Sequence, residues 1–245
     1  MSEDTLIVPA IKISNNQVWE TEETVVRECI LSISCNKRKL DVLPCSPSEL
    51  KELTFGYLLN NNIINDIEEI ISCKFDSETC TYETELKNFL NVETKNIQNA
   101  TKLNPKPIIS SAQITLEEAF FYSNFLQNHL PLFKETGGVH SGGLGLGSKV
   151  IHTSYDIGRY NVFDKLYGKA ALQNSPLHNC LLFFSGRISS ELLLRTAHMR
   201  IPILIARSAP TDLALSIAEE LNITVIGFAK NKKMNIYTAK HRIIL

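Results

Sequence analysis

The C-terminal part of the chain alternates short apolar runs with longer segments of helical spacing. The apolar runs read LLFFS at 181–185, PILIA at 202–206 and ITVIGF at 223–228. Residues 189–199 and 211–221, which lie between them, place apolar side chains at helical intervals. Runs that are apolar throughout are typical of strands covered on both faces. The alternation therefore predicts an α/β fold with a layered sheet.

The N-terminal part has a different pattern. Residues 25–35 and 40–43 are predicted as strands, and residues 69–75 and 80–86 as a hairpin. Between the two pairs, Ser46-Pro47-Ser48-Glu49 resembles a capping box that opens a helix. This part is predicted to be a smaller α+β domain.

A polar segment without periodicity separates the two parts. It covers residues 91–107 and ends with Pro105 and Pro107. We interpret it as a linker, which predicts a small α+β domain over residues 1–107 and an α/β domain over residues 108–245.

Composition excludes several classes of protein. The 245 residues are 44% hydrophobic and 21% charged, as in globular domains, and contain no apolar run long enough for a membrane span. The start MSEDTLIVPAIK lacks the basic flank and apolar run of a signal peptide, so we expect a cytoplasmic protein without a membrane anchor. The six cysteines form no C-x-x-C pair, and most are expected to be reduced.

Charge is distributed unevenly along the chain. The formal net charge of −1 argues against a nucleic-acid partner. Residues 1–100 carry 17 acids and 9 bases, and residues 101–245 carry 9 acids and 16 bases, which gives −8 and +7. The last 18 residues hold five Lys or Arg and no acid. The C-terminal part is therefore expected to meet an anion, with a solvated lysine turn as the alternative.

Six of the 11 glycines lie in residues 137–147, read GGVHSGGLGLG. Glycine lets backbone N–H groups approach a ligand, so this segment is predicted to be a ligand-binding loop, with a flexible hairpin as the alternative. It matches neither a Walker A loop nor a dinucleotide fingerprint. His140 lies within it and is either an anion ligand or proton shuttle, or a structural residue.

Three polar turns follow strands of the predicted sheet. They contain Asp156 and Arg159, Ser185 and Arg187, and Ser208 and Thr211. Such turns meet at one edge of an α/β sheet, where ligands bind, and arginine suits phosphate or carboxylate. Helix caps and surface ion pairs are the alternative. The H-x-E and P-C-x-x-C segments of zinc deaminases are absent, so no zinc or other metal site is expected.

Taken together, the segments TGGVHSGGL, YDIGRYNVFDKLYGKA, FFSGRISSELLLRTA and ARSAPTDLALSIAEELNITVIGF resemble the FdhD/NarQ family of formate dehydrogenase accessory proteins. The stretch CSPSELKELTFGYLLNNNII and the segment NIYT also fit that family. The resemblance covers roughly residues 20 to 245.

The resemblance implies a cytoplasmic, homodimeric sulfur carrier with a cytidine-deaminase-like three-layer α/β domain that lacks zinc. Such a protein takes persulfide sulfur from a cysteine desulfurase and passes it to the molybdenum cofactor before the cofactor enters formate dehydrogenase. The cofactor is bis-molybdopterin guanine dinucleotide, which GDP can mimic. The cofactor-binding stretch of the family matches Phe228, Ala229, Lys230, Asn231, Lys232 and Lys233. The pocket is expected to include Gly137, Gly138, His140, Asp156, Arg159, Ser185, Arg187, Ser208 and Thr211.

The chain departs from the family pattern at its chemically most important point. The sulfur-carrying C-x-x-C of the family falls in the interdomain loop, and residues 91–104 contain no cysteine. Tyr155 and Tyr160 replace an acid and a histidine that flank the D-[VI]-G-R motif in the family. The catalytic residue is therefore unknown, with Cys45 as a candidate substitute. Three hypotheses stay open, namely a cofactor-binding sulfurtransferase, a binding or chaperone homologue without sulfur transfer, and an enzyme acting on a purine nucleotide.

Overall fold

The structure is a computed structural model that describes residues 4–87, 105–128 and 131–245. Residues 91–104 of the predicted linker lie outside this part of the chain. The boundary between the two predicted domains at residue 107 therefore stays a prediction.

The N-terminal part is a hairpin, a four-stranded sheet and one helix. The elements are β1 (Thr5–Ser14), β2 (Gln17–Val26), β3 (Cys29–Cys35), β4 (Arg38–Cys45), α1 (Leu50–Asn60), β5 (Ile70–Asp76) and β6 (Thr81–Leu86). Strands β1 and β2 pair with each other, and the other four follow the order β4-β3-β6-β5. The antiparallel pairs β3–β4 and β5–β6 confirm the sequence prediction. The single strand predicted over 25–35 is wrong, because β2 ends at Val26 and β3 begins at Cys29.

The predicted capping box before α1 is also wrong. The N-cap is Glu49, which has φ 61° and makes no side-chain capping bond. Its carboxylate instead accepts a hydrogen bond from the Ser154 hydroxyl at 2.8 Å and binds Lys169 Nζ at 2.5 Å. A tertiary ion pair with the C-terminal part has replaced the local cap.

The C-terminal part is a six-stranded sheet with helices on both faces. Its elements are β7 (Ile114–Thr115), α2 (Leu116–Asn128), α3 (Pro131–Thr136), β8 (His140–Leu146), β9 (Lys149–Asp156), α4 (Arg159–Leu172), β10 (Leu181–Phe184), α5 (Ser190–His198), β11 (Ile203–Ala206), α6 (Asp212–Glu220), β12 (Thr224–Lys230), β13 (Lys233–Ile236) and β14 (Ile243–Ile244). The sheet order is β13-β12-β11-β10-β8-β9, with β10, β11 and β12 parallel. The α/β prediction is confirmed.

Two cores cover the two faces of this sheet. Leu182 and Leu204 face a core that contains residues of α4, α5 and α6. Phe183 and Ile205 face the opposite core, which contains residues of α2. Successive strand residues therefore point to different helical layers, which is why these strands are apolar throughout. A likeness to cytidine deaminases stays a prediction.

The glycine-rich segment is mainly a strand, which corrects the prediction of a loop. Strand β8 is an inner strand that pairs with β9 on one side and β10 on the other. A Cβ atom at Gly143 would lie 2.3 Å from the Phe183 ring, and one at Gly145 would lie 2.3 Å from the Tyr122 ring. These glycines leave room for aromatic rings to pack. From the sequence alone, the same glycines are interpreted as a sign of ligand contact.

Helices α1 and α4 join the two parts of the chain at close range. A Cβ atom at Gly56 would lie 1.7 Å from the Asp164 carbonyl oxygen, and one at Gly168 would lie 2.0 Å from that of Glu52. The two backbones therefore touch, and α4 is held between the N-terminal helix and the sheet. Within the described residues, no helix is both long and apolar enough to span a membrane.

Candidate functional site

Strand directions bring the predicted site turns to one edge of the sheet. Gly142 lies opposite Phe184 in antiparallel register, and His140 lies opposite Asp156. The start of β8 and the end of β9 therefore lie beside the carboxyl end of β10. The carboxyl ends of β11 and β12 complete this edge, because they run parallel to β10. We call it the carboxyl edge, and it is the position where α/β sheets bind ligands.

Ser185 and Ser208 hold neighbouring strands together at the carboxyl edge. Ser185 Oγ accepts a hydrogen bond from Ser141 N at 3.0 Å, and Ser185 N donates to Ser141 O at 2.9 Å. The Ser208 carbonyl accepts from Phe228 N at 3.1 Å. Ser141 Oγ is buried and has no hydrogen-bond partner among the described residues. Both predicted serines thus line the edge, and each also has a structural bond.

His140 is the half-buried centre of the edge. Its ring lies 5.7 Å from that of Phe184, centroid to centroid. Burial lowers the pKa of His140, and the positive charges of Arg159 and Arg187 lower it further, against a smaller opposing effect of Asp156. The imidazole is therefore neutral at pH 7 and can donate or accept a hydrogen bond. Both arginines therefore lie close enough to the His140 ring to lower its pKa.

Arg159 and Arg187 are the exposed cations of this group. The Arg159 guanidinium stacks on the Tyr160 ring at 4.7 Å and donates to the Tyr160 hydroxyl at 2.8 Å. Arg195 approaches the same ring at 5.4 Å. Tyr160, where the family resemblance places a histidine, therefore orients the first arginine at the start of α4.

Asp156 does not line the surface of the edge, which corrects its prediction as a pocket residue. Its side chain is fully buried and forms a 2.7 Å ion pair with Lys165, which is also fully buried. The carboxylate also accepts hydrogen bonds from Ser46 N, Gly158 N and Asn161 Nδ2 at 2.8–3.1 Å. Because the side chain is fully buried and paired with Lys165, this residue supports the edge from below.

Sequence reasoning missed Lys165 and Asn161 as supporting residues. The signal that reveals them is their spacing of four positions, which places both on one face of α4. That face turns toward the end of β9, where Asp156 lies.

The hairpin between β12 and β13 carries the predicted cofactor-binding stretch. Lys230 pairs with Lys233, and Asn231 and Lys232 form the turn with φ 52° and 55°. The side chains of these four residues are exposed. Three strand spacings of about 4.8 Å separate β12 from β8, so the hairpin begins ~14 Å along the edge from His140. An elongated ligand can reach both.

Two members of that stretch have other roles. Ala229 is buried, and its carbonyl accepts a hydrogen bond from the Ser123 hydroxyl of α2. Phe228 has φ 54° at a register shift and is 42% exposed. Its ring therefore offers an apolar surface at the edge, whereas Ala229 fixes the hairpin to α2.

The remaining predicted residues lie around this group. Gly137 and Gly138 are exposed and precede β8, while the other glycines of the segment lie in β8 or at its far end. Thr211 Oγ1 accepts from Ala214 N at 3.3 Å and caps α6. Its backbone N–H donates to Ile188 O at 2.9 Å, next to Arg187. Among the residues that the structure describes, no three His, Cys, Asp or Glu side chains are placed to hold a metal ion.

Comparison with known proteins decides the family. The FdhD/NarQ family profile matches residues 26–244. The chain belongs to the FdhD/NarQ family. The resemblance read from the sequence motifs is thereby confirmed.

Curated relatives in the FdhD/NarQ family are similar over nearly the whole chain. The sulfur carrier protein FdhD of Halalkalibacterium halodurans is 34% identical, over 96% of this chain and 93% of its own length. That of Bacillus pumilus is 36% identical over 91% of each chain. Both relatives are described as sulfur carriers.

A solved structure shows the same fold. A putative formate dehydrogenase accessory protein from Desulfotalea psychrophila superposes with a TM-score of 0.85 at 22% identity, over 98% of this chain and 100% of that one. The FdhD/NarQ fold thus includes both the N-terminal part and the six-stranded sheet.

Proposed function

We propose that this protein is a formate dehydrogenase accessory protein that binds bis-molybdopterin guanine dinucleotide along the carboxyl edge. One observation carries the proposal. Two exposed arginines flank the neutral imidazole of His140, at the same edge as the exposed lysine hairpin. A ligand with a phosphate chain between two ring systems matches this spread of cations and hydrogen-bonding groups.

The residues present fit the donor chemistry that this cofactor needs. Arg159 and Arg187 suit phosphate oxygens, because a guanidinium offers paired N–H donors. The lysines of the hairpin add positive charge at the other end of the edge, and His140 offers a neutral hydrogen bond beside the two arginines. When bound, the cofactor supplies the molybdenum centre, and these side chains position it.

Sulfur delivery is the second part of the proposal. We infer from the family that the protein receives persulfide sulfur from a cysteine desulfurase in the cytoplasm and acts as a homodimer for formate dehydrogenase. Membership of a family whose curated relatives are sulfur carriers supports this. The alternative is a cofactor-binding homologue without sulfur transfer, which the lack of cysteine in residues 91–104 favours.

A GDP titration tests the cofactor site. We expect Arg159→Gln with Arg187→Gln to weaken GDP binding by about tenfold or more, because two charge-assisted contacts are lost. Lys149→Gln is the matched control, since this exposed cation lies at the opposite end of β9. Equal GDP affinity in the double variant and the control would contradict the proposed site.

A sulfur-labelling experiment distinguishes the sulfur carrier from the binding homologue without sulfur transfer. The protein is incubated with a cysteine desulfurase and labelled cysteine, and its cysteines are mapped by mass spectrometry. Sulfur on an identified cysteine, or labelled hydrosulfide beyond what the desulfurase releases alone, supports the carrier, and the absence of both supports the binding homologue.

A further inference from the structure

Three thiols meet on the core side of the N-terminal sheet. Cys29 and Cys45 are directly opposite in the antiparallel pair β3–β4, and their Sγ atoms are 3.4 Å apart. The Cys80 thiol also interacts with that of Cys29. Cys29 is therefore the thiol that lies near both of the others. We call these three residues the thiol cluster.

The three thiols of the cluster differ in their exposure to solvent. Cys29 and Cys80 are partly exposed, whereas Cys45 is fully buried. Burial raises the pKa of the Cys45 thiol, with further contributions from Cys29 and Asp156 that Lys165 opposes. Burial likewise raises the pKa of Cys80. Both thiols therefore hold their protons at neutral pH, and each must lose its proton before it can act as a nucleophile.

The cluster lies directly behind the supporting residues of the carboxyl edge. The residue after Cys45 donates its backbone N–H to Asp156 at 3.1 Å, and the carbonyl of the residue before it accepts from Asn161 Nδ2 at 2.9 Å. The same carboxylate holds Lys165. The thiols and the candidate cofactor site therefore share one set of buried contacts.

We propose that the thiol cluster is a sulfane-sulfur site, in which Cys29 accepts sulfur from a persulfide and Cys45 releases it as hydrosulfide. The proposal rests on the sulfur-carrier function proposed above and gives it a location. It replaces a sulfur carrier in residues 91–104, where the sequence has no cysteine.

The first step transfers one sulfur atom without net oxidation. The Cys29 thiolate attacks the outer sulfur of a donor persulfide, R–S–SH. The S–S bond of the donor breaks, and the donor leaves as the thiol R–SH after taking up the proton that Cys29 lost. Cys29 then carries –S–SH. Cys80, whose thiol lies near that of Cys29, can exchange the same sulfur atom with it by an identical step.

The second step releases the sulfur atom. Cys45 gives up its proton and attacks Sγ of the Cys29 persulfide, a Cys29–Cys45 disulfide forms, and the outer sulfur leaves as hydrosulfide, which takes up the proton from Cys45. That sulfur gains two electrons, and the two cysteine sulfurs lose them. A thiol reductant, two equivalents of R–SH, then restores the dithiol and leaves as R–S–S–R.

The strand geometry permits this disulfide. Opposite residues of an antiparallel pair have Cα atoms about 4.5–5.5 Å apart, which lies within the range that disulfides span. The two Sγ atoms only have to close from 3.4 Å to bonding distance. Rotation of the side chains can supply this change.

The test uses the full-length protein and glutathione persulfide as donor, without oxygen. After treatment, free thiols are alkylated, hydrosulfide is measured, and the cysteines are mapped by mass spectrometry. We expect the wild type to release hydrosulfide and to hold a Cys29–Cys45 disulfide. Cys45→Ala should keep the sulfur as a Cys29 or Cys80 persulfide and release none. Cys29→Ala should lose both products.

Two controls distinguish a failure of the thiol cluster from a failure of the proposed sulfur-carrier function or of folding. Cys73→Ala should behave as the wild type, because Cys73 is also partly exposed but lies on β5 outside the cluster. GDP binding by each variant reports whether it folds and whether the cofactor site exists. Sulfur bound only at Cys35, Cys73 or Cys180 overturns the thiol cluster and leaves the carrier function standing. Sulfur at no cysteine of the Cys45→Ala variant, with no hydrosulfide from the wild type and GDP binding intact, overturns both the cluster and sulfur transfer.

A measurement without substitutions checks the geometry. Glutathione disulfide, added to the reduced wild type, should join Cys29 to Cys45 before it modifies Cys73. If Cys73 reacts and the Cys29–Cys45 disulfide does not form, the two thiols are not a reactive pair.

Discussion

Lys165 Nζ lies 2.7 Å from Asp156 Oδ2, and both side chains are fully buried. Lys165 Nζ also donates to the Tyr155 carbonyl at 3.2 Å. The pair joins the end of β9, the first turns of α4 and the chain after β4. It therefore determines where Arg159 and His140 lie relative to the N-terminal part.

Loss of one member of this pair should be costly. Lys165→Met leaves a buried carboxylate without its counter-charge, and we expect the free energy of unfolding to fall by about 3–5 kcal/mol. Lys165→Met with Asp156→Leu removes both charges and should recover part of that loss. Urea unfolding of the two variants and the wild type measures this. A double variant no more stable than Lys165→Met would mean that hydrogen bonds, and not charge, dominate the site.

The contact between α1 and α4 predicts an effect of a single methyl group. Gly56→Ala would place its Cβ 1.7 Å from the Asp164 carbonyl oxygen, so the helices have to separate. Overpacking of this kind typically costs about 1–3 kcal/mol, and we expect a loss at the upper end because the obstacle is backbone. Lys51→Ala, on the exposed side of the same helix, is the control. Thermal unfolding measures the stability of both variants. If Gly56→Ala were as stable as Lys51→Ala, the close contact between α1 and α4 would be contradicted.

The pKa of His140 predicts a dependence on pH. Its pKa is below 6.5 in the folded protein, so the unfolded chain binds a proton first as the pH falls. The stability that neutral His140 contributes is complete above pH ~6.5 and is lost as the pH falls toward the folded pKa. Relative to His140→Gln, the wild type should lose stability as the pH falls below about 6.5. Unfolding in denaturant across this range measures the difference.

Ligand binding should reverse the shift. Phosphate near His140 favours the imidazolium and offsets the charges of the two arginines, so GDP should raise the pKa of His140. An NMR titration of the imidazole, assigned with the His140→Gln variant, follows the change. An unchanged pKa at saturating GDP would place the phosphates elsewhere.

The outline of the C-terminal fold could be predicted from the sequence, because its signals are local. The strands predicted at 181–185, 202–206 and 223–228 and the helical segments at 189–199 and 211–221 appear as β10, β11, β12, α5 and α6. The convergence of Ser185, Ser208 and His140 on one edge follows from the strand directions.

The errors arose where distant residues decide the local structure. Nothing near Glu49 shows that Lys169 and Ser154 will take its carboxylate away from the helix cap. From the sequence alone, Gly143 is predicted to be a loop residue, because the Phe183 ring that packs against it is 40 positions away in the chain. Cys29 and Cys45 are 16 positions apart, and only the pairing of β3 with β4 brings their thiols together.

The lysines of the β12–β13 hairpin predict that GDP affinity depends on ionic strength. Lys230→Ala with Lys233→Ala removes two exposed charges from one end of the carboxyl edge, and we expect GDP affinity to fall by about tenfold at low ionic strength. The Debye length shrinks from about 30 Å at 0.01 M salt to about 8 Å at 0.15 M, so the difference between the wild type and the variant should narrow as salt is added. Titrations of GDP at several salt concentrations, with Lys149→Ala as the control, measure both effects. A double variant that matches the control at every concentration would remove the hairpin from the site and leave only the two arginines beside His140.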